Sequence, residues 1–471
     1  MTGITALGQC LTNANFQNQK NLPAPVYTVQ HDMTARRDTS PSKPYLYIAG
    51  KERGFVVYNI SSVTSPSLVA SIPTSSLSGL DVNSMTQAGN YLYLALGDNF
   101  NKNSQNSGMA ILDISNPAAP LIKSVYSYSL TSGSGAVFID GNTAYLAAMQ
   151  NGILVLDVTN KSSVQLISQF KPDINFPVAN PNSSQQDKIN ARSMVVKNNI
   201  MYLCYDAGGV RILNVSNPAS LKETGHYSNP LLISRARAYN NLVLNDTLVY
   251  VAADYCGMEV LNVKDTAHIA MTGWWNPWKC ETTANTWLNS PGHANEIEYD
   301  PNCKMVFMSA GRSDLMAVSV ANPAMPDSCS QFGVKADSAC TWGISRYQNQ
   351  VYLSYISTWP FYVPFHAEWG GTKIITYSNS CSLTGIQSFN VARTFRIYPN
   401  PVTETLNLVN PFMGASAWHV YDTDGHTIYE FELGSNESQG TIPVKNLPPG
   451  IYMLKGISGS QSFTKRFMVM D

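Results

Sequence analysis

Charge is scarce in this chain. Charged residues make up 13% of 471, about half the share of an average soluble domain, and the net charge is −1. No basic stripe is present, which excludes the electrostatic footprint of a nucleic-acid binder. No apolar run approaches the ~18 residues that cross a bilayer, so no membrane span is expected. The seven histidines are scattered, and no HExxH, GxSxG, P-loop or nucleotide fingerprint occurs. No catalytic residue, cofactor or metal site is therefore expected. The stretch GDNFNKN brings Asp98, Asn99 and Asn101 together but lacks the second acid and ordered spacing of a calcium loop. The eight cysteines form no CxxC pair, which argues against zinc and fits an oxidised compartment with structural disulfides. The opening residues, MTGITALGQCLTNANFQ, have neither a basic n-region nor a long apolar h-region and are not an intact signal peptide. A texture rich in Ser, Asn, Thr, Tyr and Gly nevertheless suits an extracellular β protein.

What the chain does contain is a repeat. LDISNPAAP (112–120), LNVSNPASL (213–221) and VSVANPAMP (318–326) are variants of one nonapeptide. Upstream lies a strand that reads aromatic, aliphatic, small: Tyr47-Ile48-Ala49, Tyr93-Leu94-Ala95, Tyr145-Leu146-Ala147, Tyr202-Leu203-Cys204, Tyr250-Val251-Ala252, Phe307-Met308-Ser309 and Tyr352-Leu353-Ser354. A second strand then carries a polar residue among apolar ones: Asn59, Asp113, Asp157, Asn214, Asn262, Ser319 and Thr376. The spacing from aromatic to polar residue is 12 in five copies, 20 in the second and 24 in the seventh, so two copies have enlarged loops. Asn and Ser start a turn after the second strand and Pro fixes its φ. With one strand before the aromatic one and one after the turn, each unit is a four-stranded meander, A to D. Seven such units close into a seven-bladed β-propeller, an all-β architecture that solves the edge problem by repetition around a ring.

GILVLDVTN and GVRILNVSNPASL resemble the LVIVD repeat of bacterial surface and secreted propellers. The resemblance covers about residues 25–390, leaving 1–24 as an N-terminal extension, and it implies architecture with almost nothing about chemistry. From Arg393 the texture changes to short alternating strands with Pro and Gly turns, enough for a small C-terminal β-sandwich over 393–471. FRIYPNP, then VYDTDG, then LPPGIY and a final basic-apolar strand resemble the type A sorting domain of the type IX secretion system of Bacteroidota. That resemblance implies a translocon and a sortase as partners of residues 393–471, and a secreted or cell-surface location outside the outer membrane. CSLTGIQSFNVARTF (381–395) is expected to supply a last blade strand and a short linker.

Loop lengths separate the two ends of the ring. The A–B and C–D turns are tight, whereas the B–C and D–A connections are long and varied, and binding residues concentrate on such loops. Trp287 and Trp359 are the first candidates for stacking on a ligand. Arg192, Arg237, His293, Asn295, Glu296 and Trp342 are candidates for contacts at the channel mouth, because the inner strands begin near them. Two bland alternatives stand beside this: tryptophans that pack loops onto the ring, and salt bridges that tie neighbouring blades. Only cysteines at the same end of the ring can bridge, since Cα atoms must come within about 7 Å. That constraint yields Cys256–Cys280 and Cys303–Cys329. The function expected is a secreted or surface binding module for a glycan or protein, in adhesion, nutrient capture or surface assembly. An extracellular polysaccharide lyase or hydrolase working at the channel mouth, and a subunit of a surface filament or matrix, are the alternatives.

Overall fold

The computed structural model describes residues 14–24, 30–98, 104–173, 189–285, 289–333, 340–357, 369–378, 396–410, 415–435, 437, 439–458 and 461–470. The chain divides into two units, residues 1–385 and 386–471. No helix among the described residues is long and apolar enough to cross a membrane.

In the first unit the described strands form seven antiparallel sheets, each built on the A-to-D meander. The inner A strands are Thr34–Arg37, Val82–Ala88, Ala136–Asp140, Ser193–Lys197, Tyr239–Asn245, Ile297–Asp300 and Thr341–Tyr347. Each contacts the next, and the seventh contacts the first, so the sheets close a ring around a channel. The repeated aromatics sit at the centre of the B strands, all buried, each opposite an apolar residue of strand C such as Val57, Val155 or Val260.

The repeated nonapeptide has a local cause. Asn59, Asp113, Asp157, Asn214 and Asn262 each accept the backbone N–H two residues on, at 2.8–2.9 Å. Asn116, Asn160, Asn217 and Asn322 do the same three residues later. Two consecutive Asx turns thus satisfy backbone donors that the sheet leaves unpaired, and only short polar side chains can do this. The residue after the first Asx position then bonds back to the A–B turn, as Ile114 does to Asn90 and Val215 to Asn199. This places the A–B and C–D turns at one end of the ring.

The seventh sheet departs from the expected assignment. Its outer strand is Asn15–Pro23, paired antiparallel with Gly371–Ser378 from Asn15↔Ser378 to Pro23↔Gly371. Residues 15–23 are therefore part of the ring and not an extension, and they occupy the position assigned to CSLTGIQSFNVARTF, whose residues lie outside the described ones. Phe16 anchors the strand against Phe307, Phe332 and Tyr377.

In the second unit, strands Arg396–Tyr398, Thr405–Val409 and Gln439–Pro443 form one sheet, and Thr427–Leu433, Ser416–Tyr421, Gly450–Ser458 and Gln461–Val469 form another. The two share a core of Leu406, Leu408, Trp418, Val420, Ile442, Leu454 and Phe467. Asn400 of the YPNP motif accepts the Met468 N–H at 2.9 Å and donates to the Arg466 carbonyl at 3.2 Å, tying the motif to the final strand.

Candidate functional site at the channel mouth

The B–C turns build the rim. Four of these turns bridge to the start of the next inner strand: Lys51 pairs with Val82, Met149 with Ala191, Asp206 with Tyr239 and Gly311 with Thr341. Between the fifth and sixth blades, Ala294 N–H donates to the Asp254 carbonyl. The residue after each of these contacts stands at one level of the channel. Those residues are Asn83, Arg192, Asn240, Asn295 and Trp342.

Four of these residues line a cavity of about 240 Å³ with walls from all seven inner strands or their leading residues. Arg36, Arg192, Asn240, Asn295, Glu296, Glu298 and Trp342 line it. Asn295 donates its amide to the Thr341 carbonyl at 2.8 Å and Asn240 donates to the Ala294 carbonyl at 2.9 Å, so each amide stitches its blade to the next. Arg192 holds its guanidinium 5.8 Å from the centre of the Trp342 ring. Trp342 itself is buried in the core between blades.

Glu296, Glu298 and Asp300 share one face of their strand, because strand side chains alternate. Ile297 and Tyr299, on the other face, pack against the neighbouring blade. Arg36 pairs with Glu298 at 3.4 Å, Arg346 lies 3.7 Å from Asp300, and the Ile344 N–H reaches Glu296 at 3.1 Å. Burial pushes the Glu296 carboxyl up to about 7, against the pull of Arg36. Burial likewise raises Glu298, opposed by Arg36 and Arg346.

The structure therefore brings Arg192, Asn295, Glu296 and Trp342 into one cavity, and separates the other sequence candidates from it. Arg237 does not line it. Its position two residues ahead of Tyr239 turns the guanidinium back into the ring, onto the carbonyls of Ala207, Leu232 and Ile233 at 3.1, 2.7 and 3.1 Å. His293 is fully buried, with Nδ1 2.7 Å from Asp254 and the ring edge-on to Tyr255. Both serve to join blades. Trp287 and Trp359 lie outside the described residues. Trp275 and Trp278 pack edge to face in the core, the alternative reading for loop tryptophans. Arg36, Glu298 and Asn240 went unnoticed in the sequence. The signal for the first two was the two-residue period of the inner strands.

Cys256 and Cys280 form a disulfide with Cα atoms 5.3 Å apart, joining a B–C turn to the following D–A loop. Cys303 and Cys329 are also disulfide-bonded, but no bond joining the two is seen among the described residues.

A second buried carboxyl lies between blades four and five. Glu259 is fully buried and accepts hydrogen bonds from Asn229 at 2.7 Å and Tyr239 at 3.1 Å. Burial raises it to about 7, against the pull of those donors. The folded state thus holds a proton that the unfolded chain releases near its ordinary value of 4.5. This stabilisation is complete below about 4.5 and is lost as pH rises to about 7. Glu259→Gln, which mimics the protonated form, is expected to flatten the fall in stability over that range by about 3 kcal/mol. Urea unfolding at pH 5 and pH 8 checks this, and parallel curves for both proteins would contradict it.

Solved structures share the ring. A Myceliophteria thermophila Cps50 (Swd1) β-propeller domain matches at TM-score 0.53 and 8% identity, covering 77% of this chain and all of that one (100%). A chain of a mitotic checkpoint complex matches at TM-score 0.50 and 12% identity, covering 76% and 98%. At such identities the likeness speaks for the β-propeller fold alone. No curated protein matches the chain. LVIVD repeats are found at residues 37–74, 81–127, 134–171 and 190–229, and a secretion system C-terminal sorting domain at 396–470. The chain is an LVIVD-repeat β-propeller carrying a type IX sorting domain, and that domain marks it for export to the cell surface or extracellular space.

Proposed function

We propose that this exported propeller is a binding module whose ligand, a glycan, enters the channel mouth at the end bearing the B–C and D–A loops. The observation that carries the reading is the polar cavity itself. Its wall combines Arg192, Asn240, Asn295 and Glu296 with a tryptophan, on strands fixed by the ring. Ligand pockets characteristically set a few fixed polar groups in a concave wall. A glycan array probed with the full chain is expected to give retained ligands. Asn240→Leu with Asn295→Leu is expected to weaken their binding at least tenfold. Unchanged binding in that variant would move the site to the outer loops. Ligands found only among proteins would replace the glycan reading with a protein partner.

A second reading has one observation in its favour. Glu296, raised to about 7, stands two residues from Glu298 on the same strand face. Two carboxyls lining one cavity, both raised by burial, are the parts from which acid–base glycoside chemistry is built. Chromatography of array ligands after incubation with the full chain tests it. Cleavage that disappears in Glu296→Gln would make the protein an enzyme.

A further inference from the structure

We infer that the channel mouth recognises a sugar acid, meaning a pyranose ring that carries one carboxylate, free or at a chain end. The inference rests on the mouth being the ligand site, and it names the ligand's chemistry from the atoms left over there.

Two of those atoms are amide oxygens. Asn240 and Asn295 spend their amide nitrogens on the carbonyls of Ala294 and Thr341. Only an N–H can donate to a carbonyl, so the orientation of both amides is fixed. Their Oδ1 atoms are left as pure acceptors, and both are buried without a partner among the described residues. The two residues are 7% and 4% exposed, and both line the cavity. A buried acceptor without a donor costs about 1–3 kcal/mol, which a ligand hydroxyl would recover.

The third group is Arg192. Among the described residues its guanidinium forms no hydrogen bond or ion pair, and it lies over the Trp342 ring, 5.8 Å from its centre. The other arginine in the wall, Arg36, already holds Glu298. A guanidinium with no acid or carbonyl on it keeps its planar fork open, and the group that matches the fork is a carboxylate. Among the described residues the wall thus offers one such cation, the two amide acceptors and the Ser193 hydroxyl, which is also buried without a hydrogen-bond partner, and these ask for one carboxylate and at least two hydroxyl donors on a single small ligand. The cavity, about 240 Å³, is below the ~300 Å³ at which pockets for drug-sized ligands begin, so it takes one ring and not a chain. Arg192, Asn240, Asn295 and Trp342 come from blades four to seven at the same level. They form an arc around half the channel, as a single ring-shaped ligand would require.

The test is calorimetric titration of the full chain with sodium glucuronate, glucose and alanine at pH 7.5. Glucuronate is expected to bind at least tenfold more tightly than glucose. Arg192→Gln is expected to remove that preference without changing the melting temperature, since among the described residues Arg192 pairs with no acid or carbonyl. Alanine tests whether an ammonium can replace the hydroxyls, and it is expected to bind more weakly than glucuronate. Equal affinity for glucuronate and glucose, an unchanged preference in Arg192→Gln, or tighter binding of alanine would each overturn the inference. A neutral glycan that binds and is lost in Asn240→Leu with Asn295→Leu would overturn the sugar acid while leaving the mouth as the binding site. Absence of binding by all three probes overturns it as well.

Discussion

Deleting residues 1–23 is expected to abolish the folded ring. Asn15–Pro23 is the outer strand of the seventh blade, paired along its length with Gly371–Ser378. Without it, the strand that closes the circle becomes an open edge, and such edges pair with other chains. The strand is also held by a specific aromatic anchor. Phe16 meets Phe307 at 6.0 Å, Phe332 at 6.1 Å and Tyr377 at 6.4 Å. The truncated protein is expected to show no cooperative thermal transition and to aggregate during purification. Phe16→Ala, which keeps the strand and removes its anchor, is expected to cost about 2 kcal/mol, less than a fully buried phenylalanine would. A truncated protein that melts like the full chain would mean that another segment closes the blade.

Lys51→Met is expected to destabilise the protein by about 3–5 kcal/mol, the cost of leaving buried charge uncompensated. Lys51 is 2% exposed at the seam between blades one and two. Its ammonium lies 2.6 Å from Asp81 and 2.7 Å from Glu52, and Glu52 in turn holds His31 at 2.8 Å. Burial alone would lower the lysine, but the two carboxylates outweigh it and hold the ammonium above its ordinary value. The cluster extends to the closing blade, where Arg53 pairs with Asp32 and Asp32 accepts the Thr372 hydroxyl at 2.8 Å. A change here therefore loosens the same junction that Asn15–Pro23 completes. The double variant Lys51→Met with Asp81→Asn is expected to recover part of the loss, because it removes one of the stranded charges. Denaturant unfolding of the three proteins checks this, and a double variant no better than the single one would show that packing, not charge, is what Lys51 contributes.

The repeat was readable in the sequence because each copy must solve one local problem with the same atoms. Asp113 and Asn116, or Asn214 and Asn217, cap backbone donors that no sheet neighbour can reach, and the same residue types therefore return at the same spacing. The aromatic of each B strand recurs for a similar reason, since every blade must fill the same gap. The closing strand carried no such mark. NFQNQKNLP is polar, lies at an edge and is exposed along most of its length, and its partner lies 348 to 363 residues away. Local pattern cannot find a pairing fixed by ring closure.

The mouth was half readable. Arg192, Asn295 and Trp342 follow directly from where the inner strands begin. Arg237 was misplaced by the offset of its blade, where the strand starts at Tyr239 and the channel position belongs to Asn240. His293 precedes the channel level by two residues and turns into the seam with Asp254. Arg36 and Glu298 lie deeper, and only the three-dimensional ring brings blade one within 3.4 Å of blade six.

A crystal structure of the full chain grown with the tightest ligand from the glycan array tests the central claim most directly. A sugar ring in the channel is expected, with a carboxylate on Arg192 and hydroxyls on the Oδ1 atoms of Asn240 and Asn295. A ligand seated on the outer strands of the blades or on residues 396–470, with only water in the channel, would contradict it.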